Sequence, residues 1–379
     1  MKRIFTTLLC LASLVASAQE HQFTVATYNV DGLPASLNDP IFGIPIPINP
    51  RNPTPEKFYE MSERLNSIGW DIIGINEDFN YHEELMSGMT DNYNFTTFQG
   101  KMESSMEAVT GILAGTFRFP YDGLNLATKK DLKVTGEEIV PWSAEAVWGY
   151  LTNFQDSLTT KGFRFYTVEF PNGMAVDVIP LHADAGYEYG DRHARVNGMA
   201  QLYDFVVAHK SSHPMIILGD YNNLYARDDM KTLFMDRLNN CPGVTARDAW
   251  VEMKNGGAFP QFLNPADDDN DEKCDKLEEQ RDANSEILDK IVYINLDESD
   301  CKLELVSVSN ITDMKTSDGD DMSDHLPLTA TFTLKSAATD IAGVYAKRAD
   351  AQAYNLLGQP VRDNHRGVVI KNGRVVINK

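Results

Sequence analysis

Several polar residues lie where apolar, strand-like runs of this sequence begin or end. Carboxylate and amide oxygens suit a hard cation such as Mg²⁺, and histidine beside a carboxylate can move a proton during catalysis. A set that combines both kinds of side chain could bind a metal and carry out acid–base chemistry. The residues are Asn29, Glu77, His182, Asp220, Asn222, Asp289, Asp324 and His325.

Each of these residues also has a purely structural interpretation. Asn29 could be a turn residue, Asp289 could cap a strand, and Glu77 beside Asp78 could be surface charge. A lone histidine is more often structural than catalytic. Six segments that share one pattern are harder to explain as turns, because independent coincidences would have to occur together. The joint pattern favours an active site.

The runs that carry these residues alternate between strand-like and helical patterns. Short apolar or β-branched stretches bounded by turn residues indicate strands, and apolar residues spaced three and four apart indicate helices. Helices inserted among many strands predict an α/β fold in which two sheets pack face to face with helices outside. The predicted strands are 23–30, 71–75, 163–170, 174–181, 215–218, 291–294, 303–308 and 328–334, and the predicted helices are 56–68 and 194–209.

The motifs that contain the polar residues occur in a characteristic order. They are T-Y-N-V, I-N-E, L-H-A-D-A, G-D-Y-N-N, L-D-K-I and S-D-H-L-P-L, with D-G-L-N-L-A-T-K at 122–129 between the second and third. This order resembles the endonuclease/exonuclease/phosphatase superfamily over residues 22–334. The resemblance implies a four-layered α/β sandwich of two packed mixed sheets with outer helices, and a site at one end of both sheets.

The resemblance also implies roles in metal-dependent phosphate-ester hydrolysis. Glu77 and Asn29 would hold Mg²⁺, with Mn²⁺ or Ca²⁺ as alternatives, and Asp324 would lie near the metal. Asp220 would align or deprotonate the attacking water, and Asn222 would donate to the phosphoryl oxygens.

Two histidines and a further aspartate complete the implied site. His325 would contact the phosphate or transfer a proton, and Asp289 would fix its tautomer by a hydrogen bond. His182 would bridge the phosphate or protonate the leaving oxygen.

The composition narrows the substrate. The chain has 379 residues with a formal charge of −21, which disfavours a long nucleic acid. The string His-Ala-Asp-Ala at 182–185 resembles secreted sphingomyelinases. We expect a phosphodiesterase of that type, acting on a lipid or small phosphodiester. The alternatives are an extracellular nuclease, an inositol- or sugar-phosphate phosphatase, and a non-catalytic surface binding protein.

A proline-rich segment follows the Asn29 strand and carries five large apolar residues. Its prolines at 40, 45, 47 and 50 disfavour a helix or a central strand, so the segment is expected on a loop. We hypothesise that these side chains touch lipid or make transient contact with a membrane surface. The alternative is that they pack against the rim of the protein itself. They are Ile41, Phe42, Ile44, Ile46 and Ile48.

Both ends of the chain differ from its body. Residues 1–18 combine a basic start, a short apolar run and Ala-Ser-Ala, which predicts an export signal and a location in periplasm, cell surface or medium. Residues 341–379 predict a hairpin around Asn372-Gly373 and contain Y-N-L-L-G-Q. This segment resembles sorting domains of the type nine secretion pathway, with a merely structural β appendage as the alternative. Disulfide pairing among Cys241, Cys274 and Cys301, and the oligomeric state, stay open.

Overall fold

The computed structural model describes two compact units. It describes residues 19–38, 43–113, 118–143, 146, 158–186, 189–225, 230–260, 287–336, 353–355, 359–361, 366–371 and 374–378. One unit is His21–Lys335, and the other contains the described residues on either side of it. The predicted export signal at 1–18 lies outside the described residues.

The described residues of the larger unit form fourteen strands and several short to medium helices. The strands are β1 (Glu20–Asn29), β2 (Ser36–Asn38), β3 (Pro45–Pro47), β4 (Ile72–Asn76), β5 (Tyr93–Phe95), β6 (Asn125–Lys129), β7 (Lys133–Pro141), β8 (Gly162–Glu169), β9 (Ala175–His182), β10 (Met215–Asp220), β11 (Val244–Asp248), β12 (Asp289–Leu296), β13 (Cys301–Asn310) and β14 (Leu328–Ser336). The helices are α1 (Pro55–Ile68), α2 (His82–Ser87), α3 (Met106–Leu113), α4 (Tyr189–Ala208), α5 (Arg237–Asn240) and α6 (Ala249–Lys254), and a π-helix over Lys231–Asp236 precedes α5.

Two six-stranded mixed sheets form the centre. The first has the order β13-β14-β1-β4-β6-β5, and the second has the order β11-β12-β10-β9-β8-β7. In the first sheet β1 and β4 are parallel, and Asn29 lies opposite Asn76. In the second, Asp220 at the end of β10 pairs with His182 of parallel β9 and with Asp289 of antiparallel β12. The register therefore gathers polar residues at one end of each sheet.

Apolar residues from both sheets meet in a shared core. Val25 and Ile72 of the first sheet belong to the same buried cluster as Val178, Leu218 and Ile291 of the second. The central strands β9 and β10 are buried along their whole length, as expected for strands covered on both faces.

Helices cover the outer face of each sheet. Ile217 of β10 packs in one cluster with Met199 and Leu202 of α4, and Ile73 of β4 packs in another cluster with Phe58 of α1. These four layers confirm the predicted fold class. None of the helices in the described part of the chain is long and apolar enough to cross a membrane.

Local sequence sets the bounds of α1, which confirms the helix predicted over 56–68. The Thr54 side chain accepts a hydrogen bond from the Lys57 N–H, and Pro55 occupies the first turn, where its missing N–H costs nothing. Gly69 ends the helix at a φ of 79°, a left-handed conformation that glycine adopts without strain.

The smaller unit contains a four-stranded sheet in the order β16-β15-β17-β18. The last two strands pair antiparallel, as predicted, while the turn residues Asn372 and Gly373 lie outside the described residues. The sorting role stays a prediction. Its strands are β15 (Ala353–Tyr354), β16 (Pro360–Val361), β17 (Gly367–Lys371) and β18 (Arg374–Asn378).

The described cysteines do not pair with each other. Cys241 and Cys301 are both free thiols. Cys274 lies outside the described residues, so its pairing stays open.

Candidate active site

One amide joins the ends of the two sheets. The Asn29 Nδ2 atom donates to Glu77 Oε1 at 2.9 Å and to Asp220 Oδ2 at 3.1 Å. The Asn29 Oδ1 atom accepts from the Asp31 N–H at 3.1 Å. Asn29 is only 1% exposed, so it lies behind the two carboxylates and orients them.

The carboxylate of Asp220 is the point on which the site converges. Its Oδ2 atom lies 3.6 Å from His182 Nε2 and 3.6 Å from His325 Nε2. Its Oδ1 atom accepts from the Asn222 N–H at 2.9 Å. Burial alone would raise the pKa of Asp220, but the charge of His325, and then that of Lys161, lower it. Asp220 is therefore ionised at neutral pH.

His325 is paired on both sides with carboxylates. Its Nδ1 atom lies 2.6 Å from Asp289 Oδ2, a hydrogen bond that fixes the ring so that Nε2 faces Asp220. Burial would lower the pKa of His325, but the charges of Asp289 and Asp220 raise it well above its ordinary value. His325 is consequently a cation at neutral pH.

The surroundings of His182 shift its pKa in the opposite direction from that of His325. Burial, and then the charge of Lys161, hold the pKa of His182 well below its ordinary value. The ring is therefore neutral at physiological pH. The Trp142 Nε1 atom donates to the His182 backbone carbonyl at 2.7 Å, which fixes the end of β9.

The backbone is strained at three residues of the site. Asp31, Glu77 and Asn222 have φ values of 54°, 58° and 47°, a region that residues other than glycine rarely adopt. Such strain persists only where the surrounding structure enforces it, and it clusters at functional sites. Neighbouring glycines allow the close packing. A Cβ at Gly32 would lie 2.3 Å from the Glu77 carbonyl, and one at Gly219 would lie 2.0 Å from the Leu181 carbonyl.

A serine connects the backbone of Asn29 to that of His325. The Ser323 hydroxyl donates to the Asn29 carbonyl at 2.7 Å and accepts from the His325 N–H at 3.1 Å. Asp324, between them in sequence, has an exposed side chain that lines the cavity.

The predicted residues surround a cavity of about 290 Å³. Six of them line it, whereas Asn29 and Asp289 lie behind the lining and support it. Sequence reasoning missed other residues of the lining. Asp31 follows Asn29 closely and could have been found from its strand-end position, but nothing in the local sequence distinguishes Arg51 or Lys161. The six are Glu77, His182, Asp220, Asn222, Asp324 and His325.

The residues present fit a divalent cation. Burial, and then the carboxylates of Asp324 and Asp31, raise the pKa of Glu77 to about 8. A bound cation would stabilise the ionised form of a carboxylate whose pKa is raised by neighbouring carboxylates in this way. Among the described residues, no three His, Cys, Asp or Glu side chains form a metal-binding group. A site of one or two carboxylates completed by water is the arrangement that Mg²⁺ prefers.

The apolar residues of the proline-rich segment differ in exposure, so some fit contact with lipid and others fit packing against the rim of the protein. Ile44 is 60% exposed, and Ile46 is half-buried in the β2–β3 ribbon. Ile48 packs with Phe79 in a small cluster and lines the cavity, so it follows the alternative of packing against the rim. Phe42 and Ile41 lie outside the described residues.

Comparisons with known proteins show which sequences and folds the chain is similar to. No protein-family model matches the chain. Sphingomyelinases of Mycobacterium bovis and Mycobacterium tuberculosis are 28% identical to it over 314 residues, or 82% of this chain. The chain spans about half the length of these relatives, since the match covers 52% of them.

Two solved structures have a similar fold. D. rerio TDP2 complexed with a single-strand DNA product has a TM-score of 0.52 at 14% identity, covering 82% of this chain and 98% of that one. A beta toxin variant from Staphylococcus aureus with bound magnesium ions has a TM-score of 0.50 at 17% identity, covering 82% and 99%. The chain therefore has the fold of these two structures and is similar in sequence to sphingomyelinases, which agrees with the resemblance of its ordered motifs to the endonuclease/exonuclease/phosphatase superfamily.

Proposed function

We propose that this chain is an exported, Mg²⁺-dependent phosphodiesterase of the sphingomyelinase type that acts on a lipid or small phosphodiester. The observation that carries the proposal is the convergence of Asn29, His182 and His325 on the ionised Asp220 carboxylate. An ionised carboxylate between a neutral and a cationic imidazole can align a water and accept its proton.

The two histidines perform different tasks because their charges differ. The cationic His325, oriented by Asp289, donates its Nε2–H to a phosphoryl oxygen and neutralises its charge. The neutral His182 contributes one N–H to the same group without adding charge. Of the two, His325 carries the proton that the leaving oxygen needs. The proposal thus gives this proton to His325, whereas the prediction from the sequence also allowed His182 to protonate the leaving oxygen.

Glu77 and Asp324 would hold the metal, and Asn29 orients Glu77. When bound, Mg²⁺ supplies positive charge that stabilises the charge developing on the phosphoryl oxygens. The beta toxin variant of similar fold is a structure with magnesium bound, which supports this choice. Mn²⁺ and Ca²⁺ remain the alternatives because they also prefer oxygen ligands.

The cavity supports a lipid substrate whose tails stay outside. At about 290 Å³ it is at the lower end of small-molecule sites, so it has room for a headgroup phosphate but not for acyl chains. Ile44, 60% exposed on the ribbon that leads to the cavity wall, would contact the lipid surface. The similarity to sphingomyelinases supports the same substrate class. Export rests on the N-terminal segment of the sequence.

A substrate panel tests this proposal. Purified protein is incubated with sphingomyelin vesicles, other phospholipids, inositol phosphates and plasmid DNA, each with Mg²⁺ or with EDTA. We expect Mg²⁺-dependent release of the phosphorylated headgroup, which Asp220→Ala abolishes and EDTA prevents. Asp131→Ala, which removes an exposed carboxylate in the turn after β6, is the matched control and should keep full activity. Cleavage of DNA without lipid hydrolysis would instead establish the nuclease alternative.

A further inference from the structure

Arg51 forms part of the cavity wall and is held by buried groups. Its Nε atom donates to Asp31 Oδ2 at 2.9 Å, and its Nη2 atom donates to the Asp321 carbonyl at 3.3 Å. Asp31 is itself fixed by Asn49, whose Nδ2 atom lies 2.5 Å from Asp31 Oδ1. The Asn49 Oδ1 atom in turn accepts from the Arg51 N–H at 2.9 Å. Asp31, Asn49 and Arg51 thus form one rigid frame that lines the cavity.

The guanidinium keeps donors for a ligand. A guanidinium carries five N–H groups in a fixed fork, and within the described part of the chain the frame uses Nε and one Nη2 group. The Arg51 side chain is 33% exposed, so its remaining donors can reach a molecule in the cavity. A guanidinium fixed by a carboxylate loses little side-chain entropy on binding.

The charge of this wall favours oxygen-bearing ligands. Arg51 and Lys57 lie 2.9 Å and 3.7 Å from the same Asp31 oxygen, so two cations face one carboxylate. A quaternary ammonium placed against the guanidinium would meet a like charge and would offer its N–H groups no hydrogen-bond acceptor. Hydroxyl or phosphate oxygens would instead accept hydrogen bonds from the fork, the geometry in which arginine recognises oxygen anions.

The fork is distinct from the groups that act on the scissile phosphate. His182 and His325 converge on Asp220, whereas the side-chain bonds of Arg51 go to Asp31 and to the Asp321 carbonyl. A phosphodiester bound at Asp220 would place its headgroup within the same small cavity, which Arg51 lines.

We infer that Arg51 is a specificity residue that selects a headgroup rich in hydroxyl or phosphate oxygens, such as inositol, over the cationic choline headgroup. This inference rests on the proposed function and deepens it by naming the headgroup class. Asp31 and Asn49 act as positioning residues for the fork.

Competing hydrolysis tests the selection. Vesicles that contain ceramide phosphoinositol and sphingomyelin in equal amounts are given to the wild type, Arg51→Gln and Arg51→Lys with Mg²⁺. We expect the wild type to favour the inositol lipid by about tenfold or more in kcat/KM, as a charged, oriented hydrogen bond allows. Arg51→Gln should remove that preference because kcat/KM falls more on the inositol lipid than on sphingomyelin, and Arg51→Lys should restore part of it.

A binding measurement tests the headgroup preference without requiring hydrolysis. Calorimetric titration with soluble inositol phosphate and with phosphocholine should give tighter binding of the inositol compound, lost in Arg51→Gln. Equal selectivity in the wild type and Arg51→Gln, in both experiments, would overturn the role of Arg51 and leave the proposed function intact. Absence of hydrolysis of every lipid, with binding selectivity present, would overturn the proposed function alone. Selective hydrolysis of the lipid with no binding of the soluble compound would assign the preference to the lipid surface and also overturn the inference.

Discussion

Two buried charged clusters connect the two sheets, and they differ in how fully their charges are paired. The first is the catalytic cluster of Asn29, Glu77, His182, Asp220, Asp289 and His325. The second, the Arg164 cluster, consists of Arg164, Asp122, Glu137, Tyr166 and the Thr97 carbonyl. The first joins Asn29 of β1 to Asp220 of β10, and the second joins Arg164 of β8 to Asp122 in the segment before β6.

The Arg164 cluster is closed. Arg164 donates from Nε and Nη2 to both oxygens of Asp122 at 2.8 Å and 2.6 Å, and from Nη1 to the Thr97 carbonyl at 2.6 Å. Tyr166 donates to Glu137 at 2.9 Å. Although burial would raise the pKa of Glu137, hydrogen bonds from Thr97 and Tyr166 and the charge of Arg164 lower it. Glu137 is therefore stable as an anion.

The catalytic cluster is open, in the sense that its carboxylates are not all stabilised as anions by neighbouring cations. The pKa of Glu77 rises to about 8 and that of Asp31, which borders the cluster, to about 6, in both cases first because of burial and then because of the Asp324 carboxylate. Three backbone positions around it are strained. The same interface between the sheets thus contains one cluster whose charges are paired and one to which the proposed function assigns catalysis. Charges left without a full complement of partners are the ones available to a cation and a substrate.

The largest expected effect is the loss of activity when His325 is replaced. His325→Gln removes the cation that faces Asp220, and we expect kcat/KM to fall by roughly 10³-fold, or about 4 kcal/mol. The unfolding free energy should change far less, because Gln keeps a polar group beside Asp289. Vesicle hydrolysis and urea unfolding measure the two quantities. A comparable loss in both would show that the catalytic cluster is as structural as the Arg164 cluster.

The converse result is expected for the Arg164 cluster. Arg164→Met leaves Asp122 buried without its cation, and we expect the unfolding free energy to fall by about 3–5 kcal/mol. Activity per folded molecule should be retained. Urea denaturation of the single variant and of the Arg164→Met, Asp122→Leu double variant checks this. The double variant should recover part of the stability, and failure to recover would mean that the stranded carboxylate is not the cause.

Replacing Glu77 by a neutral residue tests whether its ionised form destabilises the folded protein. Its raised pKa means that the folded state disfavours the ionised form, so its contribution to stability falls as pH rises above the ordinary Glu value. Glu77→Gln removes this cost, and we expect it to stabilise the protein in EDTA at neutral pH by about 1–3 kcal/mol.

The metal response provides the second measurement on the same variant. A cation that binds only the folded protein raises its stability by about 2.7 kcal/mol at a hundred times its Kd. Thermal unfolding of the wild type should therefore shift upwards with Mg²⁺, and that of Glu77→Gln should not. An equal shift in both proteins would exclude Glu77 as a metal ligand.

The catalytic cluster could be predicted from the sequence because its signal is local. Each member lies at the end of a strand whose apolar pattern is short and clear, and parallel or antiparallel register then brings the ends together. The Arg164 cluster could not be predicted in this way. Arg164 and Asp122 lie 42 positions apart, and nothing in either segment indicates the other.

The remaining differences have similar physical reasons. Lys161 immediately precedes β8 and Arg51 follows β3, but a basic residue beside a strand is typical of an ordinary protein surface, so nothing in the local sequence marks either of them. Short elements such as β5, β11 and α6 are stabilised by tertiary packing and have no clear pattern of their own. Asn29 was expected as a metal partner, and its amide nitrogen is found to bridge Glu77 and Asp220, an orienting role that only side-chain geometry shows.

A third buried cluster surrounds the Asp177 carboxylate, and the smallest effect on stability is expected there. Asp177 accepts hydrogen bonds from Thr167 and Ser211 at 2.7 Å each, and His213 Nδ1 lies 3.2 Å from it. It is closed like the Arg164 cluster, but its cation can titrate. The hydrogen bond to Asp177 raises the pKa of His213 above its ordinary value, despite partial burial.

His213→Asn should therefore lower stability in a pH-dependent way. A histidine with a raised folded-state pKa contributes fully below its ordinary pKa of about 6.5, and the contribution is lost as pH rises through the folded value. Because the side chain is 30% exposed, solvent screening limits the effect to less than about 1 kcal/mol. Urea midpoints of both proteins at about pH 5.5 and about pH 8.5 should differ more at the lower pH. Equal differences at the two values would mean that His213 contributes by packing alone, and that charge pairing stabilises the interior only where the cation, like Arg164, never titrates.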